Sequence, residues 1–325
     1  MQKRMSLFLF LVLMFSLLSG CGNTPVANGG DKLSIVTTIF PEYDWVRQIL
    51  GDKADDVELT MLMDNGVDLH SYQPTADDMV TISTCDLFIY VGGESDEWVE
   101  DALAEAVSKD MVVIDLLNVL GDAVKEEEVV EGMQDEDEEG GGDEEDVEYD
   151  EHVWLSLRNA AVLCGEIAAQ LGRLDPANAE TYVANAAAYI EKLNVLDGQY
   201  AASVTTAPVK TVLFGDRFPF RYLTDDYGLD YYAAFVGCSA ETEASFETIV
   251  FLANKVDELG LNTVLTIESS DGKIARTIIE NTAAASARVL QMDSMQSTTA
   301  RDVENGATYL GAMENNLEVL KEALH

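Results

Sequence analysis

"LSIVTT", residues 33–38, followed closely by "PEYDWVRQIL", residues 41–50, decides how this chain is read. The first is a short apolar, β-branched run suited to a strand buried on both faces. The second carries apolar residues at helical spacing. A strand running directly into a helix is the repeating unit of a parallel sheet, because parallel neighbours need a crossover to join them. The same alternation recurs outward in "VELTML" (57–62), "DLFIYV" (86–91) and "MVVID" (111–115). A second series follows in "VKTVLF" (209–214), "YYAAF" (231–235), "NTVLTI" (262–267) and "ARVLQM" (287–292). The pattern predicts an α/β fold of two lobes, each a mainly parallel four-stranded sheet flanked by helices.

Between the two series lies a long helical region. "LRNAAVLCGEIAAQL" stops at Gly172, and "DPANAETYVANAAAYIEKLNVLDGQYAAS" starts afresh, with Asp175 as N-cap and Pro176 at the first helical position. The expected boundaries are a first lobe over 32–172, one long linking helix over 173–206 and a second lobe over 207–325. A single stiff helix between lobes predicts a rigid clamshell rather than a flexible hinge.

Composition bounds the function. The chain has 325 residues, an ordinary apolar fraction of 47%, and a formal charge of −41 from 60 acidic against 19 basic residues. That excess excludes nucleic acid as a partner, since phosphate binding needs Lys and Arg to displace counterions, and it suits the attraction of cations. Met1–Arg4 supply a basic start, "MSLFLFLVLMFSLL" an apolar run, and "LSGC" small residues before Cys21. This order resembles a bacterial lipoprotein signal over residues 1–20, with Cys21 lipidated. Residues 21–31 then read as a flexible tether, and the protein as extracytoplasmic, monomeric and held to the cell membrane by lipid. Apart from Cys21 the cysteines are Cys85, Cys164 and Cys238, an odd number that permits at most one internal disulfide. No CxxC occurs, so a thiolate-only zinc site is not expected. Cys238, in "FVGCSAETEAS", reads as a buried inert thiol, with soft metal ligation as its alternative.

Ligands of parallel α/β sheets bind beyond the carboxyl ends of the strands. His70 follows the second strand, and His152 follows the fourth by way of an acidic tract. Asp216 comes directly after the fifth, Glu268 ends the seventh and Asp293 ends the eighth. The third histidine, His325, is the final residue. Two imidazoles with carboxylates on one edge suit Zn²⁺, or Mn²⁺ where oxygen makes up more of the shell. The acidic tract, residues 126–148, has no basic residue, and like-charge repulsion predicts an open, disordered loop, either inert or an antenna for divalent cations.

Three stretches carry a family resemblance. "VTTIFPEYDWVRQILGD", "GVDLHSYQPTADDM" and "DEHVWLSLRNA" resemble, in combination, the metal-binding solute receptors of bacterial zinc and manganese ABC importers. The resemblance implies His70 and His152 as metal ligands and Asp293 as an acid at the last strand's end. It also implies an ABC permease and its cytoplasmic ATPase as separate partner chains. The third ligand departs from the family pattern: the stretch "GDRFPFRYLTDDYGL" has no His. Asp216 is the acid just beyond the strand and takes the place, with Glu268 in reserve. The acidic insertion before the second His is similar to that of zinc members, so Zn²⁺ is the expected cargo, with Mn²⁺ as the alternative and no enzymatic activity. An extracellular metallohydrolase using the same residues is the rival from another class, although HExxH and G-x-S-x-G are both missing.

Overall fold

A computed structural model describes residues 32–134, 148–239, 243–283 and 285–325. The signal, the tether and Cys21 lie outside them, as does the part of the acidic tract from 135 to 147.

All eight expected strands form. The first sheet holds β1 (Leu33–Thr37), β2 (Val57–Met61), β3 (Leu87–Tyr90) and β4 (Val112–Asp115) in the order β2-β1-β3-β4. The second holds β5 (Thr211–Phe218), β6 (Asp230–Val236), β7 (Thr263–Ile267) and β8 (Arg288–Met292) in the order β6-β5-β7-β8. Every pairing is parallel, so the two sheets share one topology. Helices α1 (Phe40–Leu50), α2 (Ala76–Thr84), α3 (Trp98–Ala104) and α4 (Leu116–Leu120) serve the first sheet. In the second, α7 (Arg221–Tyr227), α8 (Phe246–Leu259) and α9 (Lys273–Glu280) are the crossovers, and α10 (Ala300–Glu304) and α11 (Tyr309–Leu324) end the chain. Residues 33–325 form one compact unit containing both sheets.

The central helices differ in detail from the sequence reading. Helix α5 covers Leu157–Leu174 and so continues past Gly172, and α6 covers Ala179–Thr206, 28 residues, starting at Asn178. Asp175 closes α5 instead of opening α6, and its side chain accepts hydrogen bonds from Asn178 (2.6 Å) and the Tyr182 hydroxyl (2.8 Å). Pro176 sits in the turn between the two helices, where its missing N–H is harmless.

Strand β5 runs to Phe218 rather than stopping at Phe214, because its register with β6 shifts between Phe214 and Arg217. The shift places Asp216 in a bulge and carries Arg217 on into the cleft between the sheets. Gly215 is needed there, since a Cβ would lie 2.5 Å from Ala275 Cα.

The acidic tract is not an open loop throughout. Glu126 pairs with Tyr149, Glu127 N–H donates to Glu148 O at 2.9 Å, and Asp150 N–H donates to Lys125 O at 2.9 Å. Gln134 then bridges Phe235 on the edge strand β6, donating its N–H to Ala234 O at 3.0 Å, while its side chain accepts from Ser245 N at 3.0 Å. Glu128 is neutralised by Arg221 and accepts from the Tyr231 hydroxyl at 3.0 Å. Charge repulsion is overcome here because the second lobe supplies a cation, donors and an unpaired strand edge. Residues 126–134 therefore form a strap laid across that lobe.

Candidate metal centre

The loop after β2 delivers His70. Asp68 caps the short turn Leu69–Ser71, its Oδ1 accepting from His70 N at 3.1 Å, and this fixes the backbone beneath the ring. His152 arrives in "DEHVWL", a fully buried segment held from three sides. The Tyr222 hydroxyl donates to Asp150 O (2.7 Å), Trp154 Nε1 donates to Ser294 O (2.9 Å) and the Tyr309 hydroxyl donates to Trp154 O (2.7 Å). A scarce histidine thus stands on backbone that cannot shift without breaking buried bonds.

The two imidazoles meet. Their Nε2 atoms lie 3.2 Å apart, with ring centroids at 5.1 Å. Each ring is oriented through its other nitrogen: His70 Nδ1 contacts Ser95 Oγ at 2.7 Å, and His152 Nδ1 contacts Asp150 Oδ1 at 3.0 Å. Glu151 lies behind them, its Oε1 accepting from Ser95 N at 2.9 Å and its buried Oε2 3.5 Å from His70 Nδ1 without a hydrogen-bond partner. Oxygen partners on Nδ1 leave both Nε2 atoms as the metal-facing nitrogens.

Electrostatics divides the pair. Burial and the neighbouring His152 push the His70 pKa down to about 3, with Asp68 opposing and Arg217 adding to the fall. Burial also works against charge on His152, but Asp150, with help from Glu151 and Asp68, outweighs it and holds the ring above its ordinary value. The shifts are opposite in sign, so His152 holds a proton more readily than His70 does. A cation bound between the two Nε2 atoms would compete with protons for them.

Among the described residues, one group of His, Cys, Asp and Glu ligand atoms lies within 4.8 Å of one another: His70, His152 and Cys238. Asp216, Asp293 and Glu268 are outside it. Asp216 lines an adjoining cleft of about 570 Å³ with Asp68, Arg217 and Ser270, and its buried Oδ2 has no hydrogen-bond partner. Asp293 accepts from Met295 N at 2.8 Å, and burial with the nearby Glu268 raises its pKa to about 6. Glu268 is committed to the loop after β8, accepting from Ser294 N (2.7 Å), Gln296 N (3.1 Å) and Ser297 Oγ (3.2 Å). Arg217 reaches Asp68 Oδ2 at 2.8 Å and so ties the two lobes beside the histidines.

Sequence reasoning passed over Asp150, Glu151, Ser95 and Arg217. The first two were visible as neighbours of His152 in "DEH". Ser95 has no local signal, and Arg217 is brought in by the bulge in β5.

The sequence matches the family described as zinc-uptake complex component A, periplasmic, over residues 35–323. It is 34% identical over 325 residues to the zinc-binding lipoprotein AdcA of Streptococcus pneumoniae serotype 4, covering 99% of this chain and 61% of that one. This chain therefore spans about three fifths of that relative's length. It is 29% identical to the high-affinity zinc uptake system protein ZnuA of Bacillus subtilis, covering 100% of this chain and 99% of that protein. The crystal structure of Zn(II)-bound AdcA from Streptococcus pneumoniae superposes with a TM-score of 0.70 at 30% identity, over 90% of this chain and 58% of that one.

Proposed function

The chain belongs to the zinc-uptake complex component A family, and from that premise we propose that it is an extracytoplasmic receptor that captures Zn²⁺ between its two lobes. The metal then passes to an ABC permease driven by a cytoplasmic ATPase, both on separate chains. His70 and His152 bind the ion through Nε2, and Asp216 and Asp293 offset its charge from the surrounding cleft, with Glu268 bracing the Asp293 loop. Lipid on Cys21 holds the monomer at the membrane. The two sheets are lobes joined by α6, and that stiff connection makes a clamshell of small opening.

One observation carries the reading: two Nε2 atoms 3.2 Å apart, each ring held by an oxygen on its other nitrogen. For Zn–N bonds near 2.0 Å, a tetrahedral site has an N···N edge of about 3.3 Å, which the pair already matches. Zn²⁺ is favoured over Mn²⁺ because nitrogen-rich sites bind it more tightly. The family match is to a component of a zinc-uptake complex, and this supports the receptor reading over the metallohydrolase one.

Metal analysis of protein purified without chelator, with Zn²⁺ and Mn²⁺ titrations of wild type, His70→Ala and His152→Ala, tests the proposal. Wild type is expected to hold one Zn²⁺, and each variant to lose well over tenfold in affinity, at about 1.4 kcal/mol per factor of ten. Equal, weak binding of both metals by wild type and variants refutes it.

A further inference from the structure

We infer that Cys238 is the third metal ligand, a thiolate that completes a His70–His152–Cys238 centre and makes it selective for thiophilic Zn²⁺. The inference rests on the zinc-receptor reading and adds to it a donor of a different chemical kind, contributed by the opposite lobe.

Its basis is the end of β6. The strand stops at Val236 and is followed by Gly237, which has ordinary backbone angles but no room for a side chain. A Cβ at Gly237 would lie 2.9 Å from His152 Cε1, 3.1 Å from His152 Nδ1 and 3.0 Å from Phe218 O. The glycine lets the chain pack directly against the imidazole and brings the next residue to the histidine pair. The Cys238 sulfur and one ring nitrogen each of His70 and His152 then fall within 4.8 Å of one another, although they come from three separate parts of the sequence.

The thiol is not committed elsewhere by a covalent bond. Cys85, Cys164 and Cys238 are all free, and the first two are buried away from the site. Nor is Cys238 sealed in the core, being only partly buried. Its surroundings also provide for the proton that must leave. Glu127 accepts the Cys238 N–H at 3.4 Å and lies beside the thiol; burial with Glu127, Asp150 and Glu151 holds the free thiol well above its ordinary pKa, so its proton would leave to Glu127 only as sulfur bonds to a cation whose charge offsets these carboxylates. Glu127 belongs to the acidic strap, which gives that segment a direct part in the centre.

Donor type decides the metal. Two imidazoles and carboxylates accept both ions with Zn²⁺ the tighter, and a thiolate widens the difference, because soft sulfur favours Zn²⁺ and disfavours Mn²⁺.

The test loads the full chain with Co²⁺ as a spectroscopic stand-in for Zn²⁺ and records the near-ultraviolet spectrum of wild type and Cys238→Ser, alongside Zn²⁺ and Mn²⁺ affinities of both. The expected result is a sulfur-to-cobalt charge-transfer band in wild type that is absent from Cys238→Ser. Cys238→Ser should also lose about tenfold or more in Zn²⁺ affinity while Mn²⁺ affinity changes little. Tight Zn²⁺ binding with no such band in wild type, and unchanged affinity in Cys238→Ser, overturns the inference while leaving the receptor reading intact. Failure of wild type to bind Zn²⁺ at all overturns both. The wild-type spectrum decides the matter even if the variant folds poorly.

Discussion

Replacing Gly237 with Ala adds one methyl group at the point where β6 meets His152. The new Cβ would sit 2.9 Å from His152 Cε1 and 3.0 Å from the Phe218 carbonyl oxygen. Comfortable carbon contacts begin near 3.5 Å, so the overlap is roughly half an ångström on two sides, one of them backbone. Overpacking of this kind costs about 1–3 kcal/mol. It cannot be relieved cheaply by the ring, which Asp150 holds at 3.0 Å in a fully buried setting. Nor does the strand yield easily, since Val236 is in register with Phe218 on β5. Relief on either side changes the distance between the His152 nitrogen and the end of β6. If all of the cost falls on the metal-loaded state, 1–3 kcal/mol becomes about 5- to 150-fold weaker Zn²⁺ binding. Competition against a chromogenic chelator measures this, with urea unfolding of the metal-free protein run in parallel. Zinc affinity unchanged within twofold, whatever happens to stability, refutes the claim that Gly237 sets the geometry of the centre.

Three further outcomes are expected. Gly198 lies inside α6 with open space where a Cβ would go, so Gly198→Ala should raise the unfolding free energy by up to about 1 kcal/mol, read by denaturant melts. The fully buried Tyr309 donates to Trp154 O at 2.7 Å, and Tyr309→Phe should cost about 1–3 kcal/mol by leaving that carbonyl without its donor. Burial, opposed by N–H donors from Gly92 and Val91, raises the Asp96 pKa from 3.8 to about 7. Because the folded state holds this proton more tightly, the contribution is full below the unfolded value and lost as pH rises through the folded one. Wild type should therefore lose stability between about pH 4 and pH 7, by an amount on the order of a few kcal/mol, and Asp96→Asn should show a flatter profile in thermal melts.

The fold was largely legible because parallel strands buried on both faces leave continuous apolar runs, and eight such runs gave eight strands. Their ends were harder to read. Strand β5 continues through "GDRF" by means of a bulge that no apolar pattern announces, and this moved Asp216 off the strand's end and brought Arg217 into the cleft. The histidines could be found from their place after strands and from the motifs around them. Cys238 could be named only as an alternative soft ligand, because its place beside the histidines depends on Gly237 allowing a close approach between segments more than eighty residues apart, and sequence periodicity carries no information about such an approach. The strap was misread for a related reason. Composition describes what a segment would do in water, and here the partners that neutralise Glu128 and extend β6 lie in the other lobe.

The strap also bears on how a loaded receptor is told from an empty one. The segment 126–134 reaches β6 in the second lobe, Glu148 pairs with Glu127, and the chain passes between the sheets again through the 28 residues of α6. Connections at separate places resist rotation about any single axis, so on the proposed clamshell reading filling the centre would change the silhouette little. On the proposed receptor reading, a docking permease would sense something finer: a neutralised patch of acid or the altered grip of Arg217 on Asp68. In such a molecule the message that cargo is aboard is written in surface charge, and its range is set by the ionic strength of the medium rather than by the swing of a hinge.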